Sequence, residues 1–341
     1  MTDHFNRTIE TLQKTFQNVS KLTNSTQLTA TPTQLSSWLV VILLLCVVGS
    51  VSNVLVITVV LRIRELRTSC GVLIAHLSVT YLMQCAVIVP LTSVRIYNRF
   101  DGGPDFCRVV QFVNSAIVVT GYYNEALLAA NRLFAICYPY GYRVFARRSL
   151  TLASLALCWI LGGGTRMPFV FNSGGFYNSL PNGQCTLTTT TNQGTFWAIG
   201  CIYFCYGFVG FAAVAICAKS AIGKFHRRTI IPLPATQSSG GKSNGGMAID
   251  ERVPVSQSPA GRAYQRRMRQ AQMLIMTFIW NCLCNFPITI VNSVAPQLFR
   301  LDPMFGLWMR LLLVLSFAFH PILVFMLSTD YRKALKRLCS F

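Results

Sequence analysis

The sequence contains few charged residues. Asp, Glu, Lys and Arg together make up 12% of its 341 residues, which is about half of the share in an ordinary soluble domain. Apolar residues make up 52%, and they are gathered into long runs. This composition excludes soluble, disordered and collagen-like proteins, and it predicts a membrane protein.

Acidic residues are particularly scarce. The chain has 10 Asp and Glu against 30 Lys and Arg, which gives a net charge of +20. An excess of this size can indicate a nucleic-acid partner, but the basic residues lie between the apolar runs and form no continuous basic face with interleaved aromatic residues. We therefore expect membrane lipid and no nucleic acid among the partners.

Histidine is scarce too, with four residues scattered along the chain. They show neither metal-ligand spacing nor the pattern of a catalytic triad. Cys282 and Cys284 lie close together but have no histidine partners at the spacing of a zinc site. We expect no catalytic residue, no bound metal and no cofactor, and hence a protein that is not an enzyme.

Seven apolar runs have the length of about 20 residues that a helix needs to cross a bilayer. Asn, Tyr and Gly interrupt the third, fifth and sixth runs, but a bilayer has no water for an irregular backbone, so each run predicts a helix. The runs are Trp38–Leu61, Val72–Val94, Val109–Cys137, Ser149–Phe171, Phe196–Ala221, Met273–Pro296 and Phe305–Leu327. The predicted fold is an all-α membrane protein, a bundle of seven transmembrane helices.

The N-terminal tail predicts the orientation of this bundle. It is polar and lacks the apolar run of a secretory signal, so we expect the first span to be retained. Its three glycosylation acceptors, Asn6, Asn18 and Asn24, can be used only on the outer side. With seven spans, 21 of the 30 Lys and Arg then fall on the cytoplasmic side, as the positive-inside rule requires. We expect a multi-pass plasma membrane protein with its N-terminus outside and its C-terminus inside.

This orientation divides the chain into three parts. They are an extracellular glycosylated tail (1–35), the bundle (36–328) with a Ser- and Gly-rich flexible cytoplasmic loop (222–268), and a short basic amphipathic helix with a cytoplasmic tail (329–341). Arg262, Arg266 and Arg269, at helical spacing, predict a basic stalk below the sixth span, which would contact either inner-leaflet lipid or a protein. Cys339 is a candidate for palmitoylation.

Of the 13 cysteines, most lie within spans or on the cytoplasmic side, where thiols stay reduced. Only Cys107 and Cys185 are expected to face outward. A disulfide bond between them would tie the loop after the fourth span over the bundle. The alternative is that both are free thiols.

Motifs in several spans occur in a shared order. Arg132 follows Cys107 by 25 residues, Trp159 stands in the fourth span, and Pro287 and Pro321 stand in the sixth and seventh. At these positions, and at Gly49–Val56, Cys284 and Tyr331-Arg332, the chain resembles rhodopsin-like G protein-coupled receptors. The resemblance implies a cell-surface receptor that transduces binding of an extracellular ligand into activation of a heterotrimeric G protein.

The chain also departs from that family's motifs. The second-span Asp is Tyr81, the sixth-span Trp is Asn285, Asp-Arg-Tyr reads Asn131-Arg132-Leu133, and Asn-Pro-x-x-Tyr reads His320–Val324. The segments Ser69–Leu73, Asn131–Leu133 and Tyr138–Phe145 resemble nematode serpentine chemoreceptors of class x. The chain therefore looks like a divergent family member.

The resemblance implies roles for residues of the inner half. Arg132 would contact the Gα subunit once the sixth helix moves out, beside Arg143, Arg266 and Arg269; the alternative is that Arg132 extends to lipid headgroups. In the family, the inactive state often pairs this Arg with an acidic residue, either its neighbour or one at the base of the sixth helix. Here those two positions are Asn131 and Arg267, so we expect measurable basal signalling. The switch residues would be Glu125, Tyr81, Pro287 and Pro321.

Glu125 is the only carboxylate in any predicted span, and such residues usually face the bundle interior. Two alternatives are open for it. Either it is protonated and hydrogen-bonded to Tyr81 or Asn124, or it acts as a polar switch.

A ligand that enters from outside would meet polar residues on three helices. No carboxylate lies at this depth to pair an amine, whereas Arg310, with Arg166, could pair an acidic ligand. Alternatively, both arginines extend outward and the ligand, a small molecule or a peptide, is neutral. The predicted pocket residues are Gln111, Asn114, Val118, Asn285, Thr289, Asn292 and Arg310.

Two other classes of membrane protein compete with the receptor. A retinal-binding light sensor needs a lysine within a span, and the sequence offers none, since Lys219 stands at the cytoplasmic end of the fifth. A transporter of another class can also have seven spans, but the chain shows neither repeated halves nor paired interrupted helices. The transporter is the alternative to the receptor.

Overall fold

The computed structural model describes residues 31–99, 103–179, 183–229, 259–294, 298 and 302–340. The predicted glycosylation sites Asn6, Asn18 and Asn24 lie outside the described residues. So does the middle of the predicted flexible loop, residues 230–258.

Seven long helices and one shorter helix make up most of the described chain. The seven predicted runs each fall on one long helix, so the prediction of a seven-helix bundle is confirmed. The helices are α1 (Pro32–Arg62), α2 (Ser69–Asn98), α3 (Gly103–Cys137), α4 (Arg148–Gly164), α5 (Cys201–Thr229), α6 (Pro259–Val294), α7 (Pro303–Leu327) and α8 (Thr329–Cys339).

Shorter segments complete or connect these helices. Within α2, residues Gln84–Ile88 form a π-helical turn, and a second π-helical turn, Phe196–Gly200, leads directly into α5 from a helical turn at Asn192–Thr195. Three short helices lie between the long ones: Arg64–Leu66, Tyr142–Phe145 and Met167–Val170.

Two predicted boundaries are corrected by local structure. Helix α1 begins at Pro32, inside the predicted tail 1–35, because Thr31 and Gln34 form a capping box and proline is favoured at a first helical position. The predicted loop 222–268 is narrower, since α5 continues to Thr229 and α6 already begins at Pro259.

Six helices of the described chain are long and apolar enough to cross a membrane. Helix α3 is not among them, because Asn124, Glu125 and Arg132 interrupt its apolar residues. It is nevertheless the central helix and packs against α2, α4, α5 and α6. Its polar side chains are therefore covered by protein and need not meet lipid.

The outer faces of the bundle are apolar. On α1, an exposed stripe at helical spacing consists of Val40, Leu44, Val47, Val51 and Val54. Such a continuous apolar surface is suited to contact with lipid tails and not with water. The chain is accordingly a multi-pass membrane protein.

A β-hairpin covers one end of the bundle. Strand β1 (Gly175–Ser179) pairs in antiparallel fashion with β2 (Cys185–Thr189), and a disulfide bond joins Cys185 to Cys107 at the start of α3. The sequence predicted the bond as one of two alternatives but not the hairpin, whose Thr-rich second strand has high β-propensity. We call this end the disulfide end and the opposite end, where α8 lies, the α8 end.

Candidate functional site

The middle of the bundle contains a carboxyl group that joins three helices. Glu125 on α3 accepts hydrogen bonds from Tyr81 Oη on α2 at 2.5 Å and from Asn281 Nδ2 on α6 at 2.8 and 2.7 Å. Of the two partners considered for Glu125, Tyr81 is therefore in contact. Asn124 is not, since it donates to the Leu73 carbonyl instead.

Asn281 was not singled out by the sequence analysis. It lies one helical turn before Asn285, which was, and the two side chains are joined: Asn285 Nδ2 donates to Asn281 Oδ1 at 2.5 Å. A spacing of four residues places side chains on one helix face. This spacing is the signal in the sequence that could have identified Asn281.

The polar contacts continue from Asn285 towards the disulfide end. Tyr122 Oη donates to Asn285 Oδ1 at 3.2 Å, and the Tyr122 ring packs on Tyr206 of α5 with 5.2 Å between centroids. Thr289 Oγ1 donates to the Asn285 carbonyl at 2.9 Å. We call the connected residues Tyr81, Glu125, Asn281, Asn285 and Tyr122 the polar axis.

A small cavity of about 30 Å³ adjoins the polar axis at Glu125. Thr277 and His320 line it together with apolar side chains, and the His320 ring meets the Tyr81 ring edge-on at 5.2 Å. The volume suffices for one or two water molecules. Helix α7 thus reaches the polar axis beside Pro321, which lies within that helix, as Pro287 does within α6.

Arg132 lies at the α8 end and is only 3% exposed. Its Nη1 donates to Gln270 Oε1 on α6 at 2.8 Å, so it does not extend to the lipid headgroups. None of the ion pairs among the described residues involves Arg132. Helix α6 is held to this arginine by a neutral acceptor and not by an acid.

The two residues at the expected acid positions have other partners. Asn131 donates to Ser69 Oγ and accepts from Tyr142 Oη, both at 3.1 Å. Arg267 donates to the Ala135 carbonyl at 3.3 Å, and its guanidinium lies 5.8 Å from the centre of the Tyr142 ring. Both residues fix the short helix after α3 to the bundle.

Charged pairs at the α8 end join α8 to its neighbours. Arg266 on α6 pairs with Asp330 at 2.8 Å, and Arg337 pairs with Glu65 in the connection between α1 and α2 at 3.3 Å. The other predicted coupling residues, Arg143 and Arg269, are exposed, as is the free Cys339 at the end of α8.

At the disulfide end, the predicted pocket residues form separate contacts. Asn114 donates to Gln111 on the same helix face at 3.2 Å, and Val118 packs into the core between Tyr81 and Tyr122. Asn285 is part of the polar axis, and Thr289 adjoins it through the Asn285 carbonyl. The side chain of Asn292 lies outside the described residues.

Arg310 of α7 points towards α2. Its Nη2 donates to Thr92 Oγ1 at 2.9 Å, and no carboxylate of the described residues forms an ion pair with it. No hydrogen bond found among the described residues joins Arg310 to Gln111 or Asn114. Among the described residues, the partner of Arg310 at the disulfide end is thus a hydroxyl group and not a carboxylate.

Two other arginines of the disulfide end are bound to backbone and sulfur. Arg166, 3% exposed, donates to the Ala198 carbonyl at 2.9 Å and does not extend outward. Arg95, which the sequence analysis missed, donates to the Gly183 carbonyl at 3.3 Å and lies 3.0 and 2.7 Å from the sulfurs of Cys107 and Cys185.

Comparison with known proteins identifies the family to which this architecture belongs. The model of the seven-transmembrane receptor family, rhodopsin family, matches residues 52–323. The chain belongs to the rhodopsin family of G protein-coupled receptors. Because members of this family are receptors that couple an extracellular ligand to a G protein, the chain is a receptor and not an enzyme.

Individual relatives of this receptor are distant. It is 25% identical to 5-hydroxytryptamine receptor 5B of Rattus norvegicus over 84% of the chain and 80% of that protein. It is 21% identical to G-protein coupled receptor moody of Drosophila pseudoobscura pseudoobscura over 86% of the chain, but spans about half the length of that relative. The cholecystokinin receptor type A of Oryctolagus cuniculus is 29% identical over 45% of the chain and 33% of its own length.

Proposed function

We propose that this receptor binds its ligand at the disulfide end and activates a heterotrimeric G protein at the α8 end. The observation that carries the proposal is the polar axis, which ties α6 to α2 and α3 midway between the two ends. A ligand that binds better when α6 has moved away would shift the population towards that form. A G protein bound at the α8 end would favour the same form.

Arg132 is the residue on which coupling depends. Movement of α6 would separate Gln270 from Arg132 and free the guanidinium for carbonyl and carboxylate acceptors of a Gα subunit. Exposed Arg143, Arg266 and Arg269 would surround it. In reconstituted membranes, receptor should accelerate nucleotide exchange on Gα, and Arg132→Ala should abolish the acceleration; exchange at the unstimulated rate with every Gα class tested would refute coupling.

We further propose that the α8 end is cytoplasmic and that the tail carrying Asn6, Asn18 and Asn24 is extracellular and glycosylated. The excess of Lys and Arg on the α8 side of the bundle supports this orientation. An epitope tag after residue 341 should be accessible only in permeabilised cells. Glycosidase treatment should lower the apparent mass of wild type but not of the triple Asn→Gln variant.

The ligand that fits the disulfide end best is acidic. Arg310 has a hydroxyl but no carboxylate among its described partners, and guanidinium binds carboxylate and phosphate groups through two parallel hydrogen bonds. An amine, the kind of ligand named for the 5-hydroxytryptamine receptor relative, would need an acid. On the described part of α3, Asp105 is exposed and paired with Arg108, and Glu125 already accepts hydrogen bonds from Tyr81 and Asn281.

A ligand screen tests this preference. Cells that express the receptor should respond to organic acids and not to amines, and Arg310→Gln should remove the response. Arg108→Gln is the matched control, because that arginine lies at the same end but is exposed and paired. Activation by amines with Arg310→Gln fully active would refute the acidic ligand.

A chemosensory role is the proposal that follows from the resemblance of Asn131–Leu133 and Tyr138–Phe145 to nematode serpentine chemoreceptors. It is compatible with a small acidic ligand.

Palmitoylation of Cys339 is proposed as well, since this thiol is exposed at the end of α8. Metabolic labelling with an alkyne fatty acid would detect the modification, and the label should be lost in Cys339→Ser.

A further inference from the structure

The α8 end contains a cavity of about 860 Å³. It lies between the ends of α1, α2, α3 and α6, and Tyr142 of the short helix and Tyr331 of α8 are among its lining residues. Cavities that bind small molecules have volumes of about 300–1,000 Å³. The cavity therefore has room for a ligand, and on the proposed orientation, on which the following inference rests, that ligand comes from the cytoplasmic side.

The charged side chains around this cavity are almost all basic. Glu65 is the acid among its lining residues, and it is paired with Arg337. The lining arginines are Arg67, Arg132, Arg148, Arg266 and Arg267. Because guanidinium groups are donors only, the chemistry of the cavity favours a ligand with several negatively charged oxygens.

Two buried polar atoms at the cavity lack a partner among the described residues. They are Arg132 Nε and Tyr331 Oη, each on a side chain that is 3% exposed and lines the cavity. A buried donor without an acceptor is unfavourable, because it has lost its hydrogen bonds to water without gaining another. An anionic oxygen that approached Arg132 and Tyr331, with a small movement of their side chains, would remove this cost.

Apolar side chains form another part of the cavity wall. They include Val60 and Leu61 of α1, Val72 and Ile74 of α2, and Met273 of α6. A fully hydrated ion would leave these walls in contact with water, whereas a ligand with both a phosphate and a hydrocarbon portion would satisfy both parts. Basic pockets on the cytoplasmic side of membrane helices are suited to phosphorylated lipid headgroups.

We propose that this cavity binds a phosphate-bearing amphiphile through its arginines, and that the bound molecule opposes coupling. The phosphate comes either from an inner-leaflet lipid with a phosphorylated headgroup or from a soluble phosphate compound. The bound molecule would oppose coupling because it and the Gα subunit would compete for the same place. Both would contact Arg132 and occupy the space beside the Arg132–Gln270 hydrogen bond.

Binding to the purified full chain tests the site without any G protein. The probe is a fluorescent short-chain phosphatidylinositol bisphosphate, and a phosphatidylcholine of the same chain length is the control. We expect the bisphosphate to bind at least tenfold more tightly. Arg148→Gln and Arg267→Gln should each weaken it about tenfold, as expected for loss of one charge-assisted contact.

Arg148→Gln separates loss of binding from misfolding. Because Arg148 is exposed and no side-chain contact of it is described, its replacement should leave the bundle intact. Arg108→Gln at the disulfide end should leave the affinity unchanged. Equal binding of the two lipids, or bisphosphate binding that both cavity variants leave unchanged, would overturn the proposal. Displacement of the probe by a millimolar water-soluble phosphate monoester that has a hydrocarbon portion, such as phenyl phosphate, would identify the soluble source, and its retention the lipid.

Nucleotide exchange on Gα supplies a second readout. The bisphosphate should slow exchange by wild-type receptor and slow it less with Arg148→Gln. An accelerated or unchanged exchange rate with bound probe would refute the opposition to coupling. If wild type accelerates exchange on no Gα class, the proposed function fails while the binding result stands, so the two failures are distinguishable.

Discussion

The two ends of the bundle use buried arginines in opposite ways. At the disulfide end, Arg95 and Arg166 donate to backbone carbonyls and sulfur atoms, and a covalent bond joins α3 to the hairpin. At the α8 end, Arg132 is held to α6 by one amide oxygen, that of Gln270. The first arrangement fixes the helices through backbone and covalent contacts, whereas the contact of Arg132 with α6 depends on a single side chain. We infer that movement of α6 is largest at the α8 end.

The disulfide bond should give the largest effect when this comparison is tested. It links residues 78 apart in sequence, and closing a loop of that length contributes about 4.5 kcal/mol in the chain-entropy model. Cys185→Ser should therefore lower the apparent melting temperature of the purified receptor by about 10 °C, measured with a thiol-independent fluorescence assay. Cys339→Ser removes an exposed free thiol and is the control; equal melting temperatures for both variants would contradict a fixed disulfide end.

The polar axis should give the next largest effect. Asn281→Leu removes both hydrogen bonds from α6 to Glu125, and the loss of about 1.5 kcal/mol would raise basal nucleotide exchange about tenfold. Thr277→Val is the matched control on α6, since among the described residues Thr277 donates within its own helix, to the Leu274 carbonyl. Glu125→Gln keeps one acceptor oxygen and should fall between wild type and Asn281→Leu.

An equal rise of basal exchange in Thr277→Val and Asn281→Leu would show that general packing of α6 matters and the Glu125 contact does not. Unchanged exchange in Asn281→Leu would remove the polar axis from the resting restraint altogether. The second result would leave the α8 end as the place of the resting restraint.

The sequence predicted the larger features of this arrangement better than its contacts. Apolar runs identify the seven helices because a span must be about 20 residues long, and Cys107 and Cys185 were identified because they alone face outward. Helical spacing also places Glu125 and Arg132 on one face of α3. What spacing within one helix cannot give is the rotation of one helix against another.

The partners on α6 show this limit. Asn281 is 156 residues from Glu125 and Gln270 is 138 from Arg132. Their contacts depend on how α6 packs against α3, which all of the apolar side chains between these helices decide together. The hairpin escaped prediction for a related reason, since five-residue strands carry too weak a pattern beside the long apolar runs.

The contact between Arg132 and Gln270 should give a smaller effect than the polar axis. Gln270→Leu removes one hydrogen bond at a partly buried position, worth about 1 kcal/mol. Basal exchange should rise about fivefold, and Arg132→Ala in the same chain should abolish the rise, because the freed arginine is the group that meets Gα. A rise that persists without Arg132 would mean that Gln270 acts through another residue.

The exposed ion pair between Arg266 and Asp330 should give the smallest effect. It joins α6 to α8 at 2.8 Å, but the two side chains are 54% and 28% exposed, and such pairs contribute about 0–1 kcal/mol. Asp330→Arg should raise basal exchange about twofold at low salt, and the rise should disappear at about 1 M salt, where charges are screened within 3 Å. Restoring the pair in reverse, with Arg266→Asp added, should return exchange towards wild type. Arg337→Glu breaks the pair with Glu65, which does not involve α6, and should leave exchange unchanged; if it raises exchange as much as Asp330→Arg does, the effect comes from detachment of α8 and not from release of α6.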